Sequence, residues 1–447
     1  MLMIIDTLIL VFYFLALLVL FGFGLHGLMM VYYYRKTSGM LHDEGPMPSD
    51  PPMVTVQLPI FNEYNVVERL VEAVCEIKYP KEKLEIQILD DSTDDTVELS
   101  QKLVDEFTAK GFDISLLHRT DRTGYKAGAL KNGLAVAKGE FIAIFDADFV
   151  PKNDFLQETV PHFNNEKIGM VQTRWEHLNE ELSYVTKAQA LALDGHFVLE
   201  QQVRNNAGFF MQFNGTAGIW RKECIIDAGN WEMDTITEDM DLSYRAQLKG
   251  WDFRFLNNVT SPAELPADIN ALKTQQFRWT KGAIEVAKKI LPKIVRAKLP
   301  FRIKMEAYTQ LTANIVFPMI IAVALLNVPV VLVKNMVGGF DQFYTYMSIF
   351  VLATASTFLF YAYAQRDIHK DSWRKRLLLF PLFLAGSMGL AVNNSKAVIE
   401  ALIGKKSGFI RTPKDGSVGN DKGVDKKNYR QRKIKFEVFV ELFLTLY

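Results

Sequence analysis

Cysteine is nearly missing from this chain: Cys75 and Cys224 are the only two among 447 residues. That scarcity excludes a disulfide-built scaffold, and neither thiol has neighbours at metal-ligand spacing, so both are expected to be unpaired. Net charge is missing too, with 51 basic against 51 acidic side chains, and no nucleic-acid partner is expected. No internal repeat and no low-complexity tract is present. Charge is also absent locally: residues 7–34 contain no Asp, Glu, Lys or Arg. As helix that run extends about 42 Å, beyond the ~30 Å hydrocarbon core of a bilayer. Residues 307–333 and 342–365 have the same character.

What is present is unevenly placed. A cleaved signal peptide would be shorter, begin with basic residues and end in small ones. Here Asp6 precedes the first apolar run and Tyr32-Tyr33-Tyr34-Arg35-Lys36 follows it, so residues 1–36 read as a retained anchor. Residues 405–435 hold eleven Lys or Arg against three Asp. Arg35-Lys36 and the cluster Lys370, Arg374, Lys375 and Arg376 carry the same sign. Such loops stay on the cytoplasmic side, which predicts an outside N-terminus and a cytoplasmic residue 35–306 segment in an integral, multi-pass membrane protein. Residues 377–404 contain Asn393-Asn394-Ser395-Lys396 and Glu400 and read as a helix dipping into or lying along the interface. Interfacial and transmembrane helices thus occupy residues 291–404. Residues 436–447 read as the start of a further transmembrane helix, cut short or ending in the interface.

Residues 50–290 read as one α/β domain with a parallel sheet. Strands are predicted at 54–60, 84–89, 114–117 and 141–145, with helices at 65–78, 94–110 and 126–137. A helical stretch at 183–203 follows. In open parallel sheets, ligands sit beyond the carboxyl ends of strands, and two acidic clusters fall there. Asp90-Asp91 suits hydrogen bonds from a nucleobase or ribose, or an ordinary turn with an N-cap at Ser92 or Asp94. Asp146-Ala147-Asp148 suits a hard divalent cation, or a solvated loop. Lys126, at a helix start, suits phosphate oxygens or simply solvent.

Three more motifs lie downstream. In Thr237-Glu238-Asp239-Met240-Asp241, Asp239 is the candidate proton acceptor, while Glu238 and Asp241 are helix-start acids or ion-pair partners of Arg245. In Gln275-Gln276-Phe277-Arg278-Trp279, an indole face suits a pyranose ring and Gln275 and Arg278 suit hydroxyls or phosphate; an amphipathic helix burying Phe277 and Trp279 is the structural alternative. Gly215, in Phe213-Asn214-Gly215-Thr216-Ala217-Gly218, lets backbone approach a sugar closely or makes a tight turn. Trp175 is a second sugar platform or a core residue.

Together these pieces resemble glycosyltransferase family 2, membrane branch, with its D, D, D, QxxRW signature. More narrowly, Gln172-Thr173-Arg174-Trp175 and the later motifs are similar to the plant glucomannan mannosyltransferase and cellulose-synthase-like branch, and to bacterial cellulose synthases. The resemblance implies a GT-A fold, meaning an α/β, Rossmann-like nucleotide-sugar-binding domain, joined to α-helical transmembrane and interfacial segments. It implies an inverting mechanism, a UDP-glucose or GDP-mannose donor with Mg2+ or Mn2+, and β-1,4-linked polysaccharide synthesis at a lipid bilayer. Export or oligomer partners stay open. So do a lipid-linked acceptor taking one sugar, such as a ceramide or polyprenyl phosphate, and an inactive nucleotide-sugar-binding scaffold. By the resemblance, Glu63, Asp90 and Asp91 would lie at the nucleotide, Asp146 and Asp148 at metal and diphosphate. Asp239 would be the base, and Trp279 would stack on the acceptor beside Gln275 and Arg278. Phe409-Ile410-Arg411-Thr412-Pro413-Lys414 is similar to the gating-loop pattern FxVTxK, with Arg where Val is expected. Phe409, Thr412 and Lys414 would be the gating positions of a basic cytoplasmic loop over residues 405–435.

Overall fold

The computed structural model describes residues 2–40, 44–336, 341–408, 410–421 and 436–447. At its centre is a seven-stranded sheet in the order β3-β2-β1-β4-β6-β5-β7. The strands are β1 (Val54–Ile60), β2 (Leu84–Asp90), β3 (Asp113–His118), β4 (Phe141–Ile144), β5 (Ile168–His177), β6 (Gly218–Arg221) and β7 (Asp252–Ala263). β1 pairs in parallel with both β2 and β4, and β2 with β3. Helices Val67–Cys75, Thr96–Ala109 and Tyr125–Val136 make the crossovers, and a parallel sheet covered on both faces needs residues that tolerate burial on both. Val54, Val56, Leu58, Ile86 and Ile88 supply one face of the core. On the other, polar side chains satisfy one another across strands: Gln57 Nε2 donates to Gln87 Oε1 at 3.0 Å and Thr55 Oγ1 to Glu85 at 2.5 Å. Buried polar groups without such partners would destabilise the sheet.

The parallel half matches the predicted order. The N-cap of the helix that follows β2 is Asp95 rather than Ser92 or Asp94, and Asp94 Oδ1 accepts from Thr96 N at 3.0 Å in the turn just before it. The sheet as a whole is mixed rather than wholly parallel, because β6 runs antiparallel to both β4 and β5. β6 is four residues long, too short for an alternation to register, and β7 contains Asn257-Asn258 and Pro262. The helix predicted at 183–203 starts at Tyr184 behind a Ser183–Thr186 capping box, then widens into a π-helix over Gly195–Gln201.

Among the described residues, three helices are long and apolar enough to cross a membrane: Ile4–Thr37, Phe301–Met336 and Tyr344–Ile368. Small residues bring the first against the third: a Cβ at Gly24 would lie 2.5 Å from Ala353, and Ser356 Oγ donates to Gly24 O at 2.6 Å. Trp373–Gly389 and Ala391–Leu402 form a pair bent by 44°, the shape of a broken span or a re-entrant helix. The helix Phe436–Leu446 is not wholly apolar in its contacts: Glu441 pairs with Lys273 at 2.6 Å, and Tyr447 Oη donates to Leu325 O at 2.9 Å. Buried and half-buried polar contacts tie the sheet domain to these long helices. Gln365 Nε2 donates to Asp194 Oδ2 at 2.7 Å, and Glu306 receives both Arg204 Nε at 3.0 Å and His26 at 2.7 Å.

Candidate active site

β1, β2 and β4 end at a cleft of about 600 Å3. Its walls include Glu63, Asp91, Lys126, Asp146, Asp148, Trp175, Gly215, Asp239, Gln275, Arg278, Trp279, Thr412 and Lys414. Residues far apart in the chain thus share one hollow. Asp90 stands behind it, fully buried, its Oδ1 accepting from Ser92 N at 3.0 Å and its Oδ2 3.0 Å from His118 Nδ1. Phe409 lies outside the described residues.

Asp91 is held by both arms of Arg119, with Nε at 2.8 Å from Oδ1 and Nη2 at 2.6 Å from Oδ2. This planar pairing fixes the carboxylate while leaving lone pairs for a ligand. Asp146 and Asp148 follow β4 and each faces an ammonium: Lys126 Nζ donates to Asp146 Oδ1 at 2.5 Å, and Lys414 Nζ to Asp148 Oδ1 at 2.6 Å. Burial works against charge on Lys126 and Lys414, but the surrounding carboxylates outweigh it and hold both above the ordinary lysine value. Asp146 and Asp148, two residues apart at one cleft wall, offer carboxylate oxygens, the donor type that a hard divalent ion takes, and such an ion would have to take the place of Lys126 and Lys414 on them. Among the described residues, a second acidic group is Glu232, Asp234 and Asp241. Lys289 sits among these three, 2.7 Å from Asp234 and 3.0 Å from Asp241, and Arg245 Nε lies 2.8 Å from Asp241. That group is already neutralised by side chains.

Asp239 lies in the first turn of the helix Glu238–Leu248. Its Oδ1 accepts from Met240 N at 2.8 Å, and a Cβ at Gly215 would lie 3.0 Å from Oδ2. Gly215 has φ +82°, a left-handed conformation that favours glycine, so the sequence permits both the turn and the approach. Burial pushes the Asp239 carboxyl up to about 6, and burial with the neighbouring Asp239 charge pushes Glu238 up to about 7. Asp241 pairs with Arg245 as one sequence reading had it, whereas Glu238 lines the cleft. The long helix Ile269–Arg296 carries Gln275, Arg278 and Trp279. Gly282 lets it touch the Asp239 motif, since an added Cβ would collide with Thr237. Trp175 is both wall and core: its ring lies 6.4 Å from Trp279, 5.3 Å from Phe149 and 5.2 Å from Phe197.

Residues 410–421 strap across this cleft. Arg411 reaches Glu63 at 2.7 Å, and Arg278 Nη2 donates to Thr412 Oγ1 at 3.0 Å. Buried Glu264 accepts from Asp415 N at 2.9 Å, Gly416 N at 3.0 Å and Ser417 Oγ at 3.1 Å. At the root, fully buried Lys281 donates to Lys405 O at 2.6 Å and Ser407 Oγ at 2.7 Å. Glu264, Lys281, Arg119 and the partner role of Arg411 were not read from the sequence. No spacing marks them, and Arg411 showed only as a departure from a pattern.

A mixed sheet carrying an acidic cleft at its strand ends is the architecture of a GT-A protein. A mannosyltransferase from Pyrobaculum calidifontis, solved in complex with GDP-Man and Mn2+, superposes with a TM-score of 0.63 at 18% identity, covering 89% of this chain and 100% of the other. A sequence model described as "Glycosyltransferase like family 2" matches residues 51–282, just over half of the chain, and the chain belongs to that family. Among relatives, Glucomannan 4-beta-mannosyltransferase 7 of Arabidopsis thaliana is 42% identical over 252 residues, 55% of this chain and 45% of its own length. Glucomannan 4-beta-mannosyltransferase 1 of Oryza sativa subsp. japonica is 43% identical over 252 residues, 55% of this chain and 48% of its own length. The chain therefore spans about half the length of these relatives.

Proposed function

We propose that this chain is a membrane-embedded, inverting β-glycosyltransferase that transfers a hexose from a nucleotide sugar to a growing β-1,4-linked polysaccharide. GDP-mannose is the proposed donor, on the strength of the glucomannan mannosyltransferases it resembles, with UDP-glucose as the competitor. The observation that carries the reading is the meeting of Asp148, Asp239 and Trp279 in one cleft.

Asp91, braced by Arg119, orients the nucleoside. Lys126, at the start of the helix Tyr125–Val136, neutralises diphosphate oxygens together with that helix's free N–H groups. Asp146 and Asp148 would hold a divalent cation, Mg2+ or Mn2+, which when bound offsets charge on the leaving diphosphate. Asp239 takes the proton from the acceptor hydroxyl as that oxygen attacks the anomeric carbon from the face opposite the diphosphate. Trp279 offers its indole face to the terminal sugar, with Gln275 and Arg278 beside it. The catalytic domain faces the cytoplasm, where nucleotide sugar and the basic loop meet. Purified protein supplied with a panel of nucleotide sugars tests this. Release of nucleoside diphosphate from GDP-mannose, abolished by EDTA and restored by Mn2+ or Mg2+, is expected; no release from any donor overturns it.

A further inference from the structure

The cleft has a wall that the mechanism above does not use. Phe61, Arg122, Gly124 and Tyr125 line it next to Asp91. The Arg122 guanidinium lies 3.2 Å from the Phe61 ring centroid and 5.0 Å from that of Tyr125. Its backbone is built to stay: Asp121 Oδ1 accepts from Thr123 N at 3.0 Å and Thr123 Oγ1 at 2.6 Å, and Tyr125 N donates to Arg122 O at 3.0 Å. Asn62 and Tyr125 have φ of +54° and +48°, a conformation that non-glycine residues adopt at a cost and keep where surroundings hold them. An arginine lying on aromatic rings keeps its plane fixed and its N–H edge directed.

We propose that Arg122 is a specificity-determining residue that reads the purine edge of a guanine while Asp91 accepts from the base's N–H donors; this rests on the nucleotide-sugar reading above. Guanidinium donates to O6 and N7 of guanine in a two-point contact. Uracil offers no second acceptor beside its carbonyl in that geometry, so a fixed arginine favours the purine.

The test is nucleotide binding by the full chain in nanodiscs with Mn2+, using GDP, UDP and 7-deaza-GDP, which lacks the N7 acceptor. GDP is expected to bind about tenfold or more tighter than UDP, with 7-deaza-GDP losing most of that advantage. Arg122→Lys keeps the charge and loses the fork, so its affinity for GDP should fall to that for UDP, and its affinity for UDP should hold. Equal binding of GDP and 7-deaza-GDP by the unaltered protein overturns the proposal without needing a variant. So does an Arg122→Lys protein weakened equally toward both nucleotides. A preference for UDP sinks this assignment and leaves sugar transfer standing, whereas failure to bind either nucleotide sinks sugar transfer and this assignment with it.

Discussion

Asp239 carries the sharpest consequences at the scale of single residues. A carboxyl accepts a proton only when ionised, and burial raises this one to about 6. The competent fraction therefore rises with pH, so turnover should climb through about pH 6 to a plateau, and a flat profile between pH 5 and 8 would speak against the assignment. Asp239→Asn should lower turnover by roughly 10²–10⁴-fold while nucleotide affinity is kept. Gly215→Ala forces a side chain into a left-handed turn and against Asp239. It should cost about 1 kcal/mol of stability and slow transfer, readable as a lower melting temperature with reduced turnover. The acids of this site were legible because each follows a strand or opens a helix, positions where sequence pattern and chemistry coincide. Glu264 was not: the strand it follows, β7, was itself not predicted, and its partners Asp415, Gly416 and Ser417 come from a distant loop.

Among the elements, the strap over the cleft is the one whose placement the sequence could not give. Its resemblance to a gating pattern was readable, but Lys414 on Asp148 and Arg411 on Glu63 are contacts between segments that only the fold brings together. Glu264→Ala removes its three contacts to the strap at once, so amide exchange over residues 411–421 should quicken about tenfold or more; unchanged exchange would mean that other contacts hold the strap. β1 to β4 were legible because their apolar residues alternate along the strand, as Val54, Val56 and Leu58 and Leu84, Ile86 and Ile88 do, or run together, as in Phe141–Ile144. β6 and β7 were not, since one is four residues long and the other keeps Asn257-Asn258 and Pro262 along its length.

At the scale of the whole molecule, the apolar runs announced three spans, and the three spanning-length helices among the described residues coincide with them. What no hydropathy pattern contains is the joint beneath them, where Asp194 and Glu306 bind side chains from span and sheet domain alike. Orientation is open to labelling, because burial pushes the Cys75 thiol up to about 12 and Cys224 is wholly buried, so both native thiols stay quiet. A Lys370→Cys protein in sealed cells should resist an impermeant maleimide until the membrane is opened; labelling beforehand would reverse the topology. The central proposal, chain elongation at one cleft, is tested most directly by sizing the product made from radiolabelled GDP-mannose by the full chain in nanodiscs with Mn2+. A β-mannanase-sensitive polymer that lengthens with time, and that Asp239→Asn does not make, is expected. Label confined to a one-sugar lipid, or polymer made equally well by Asp239→Asn, would contradict it.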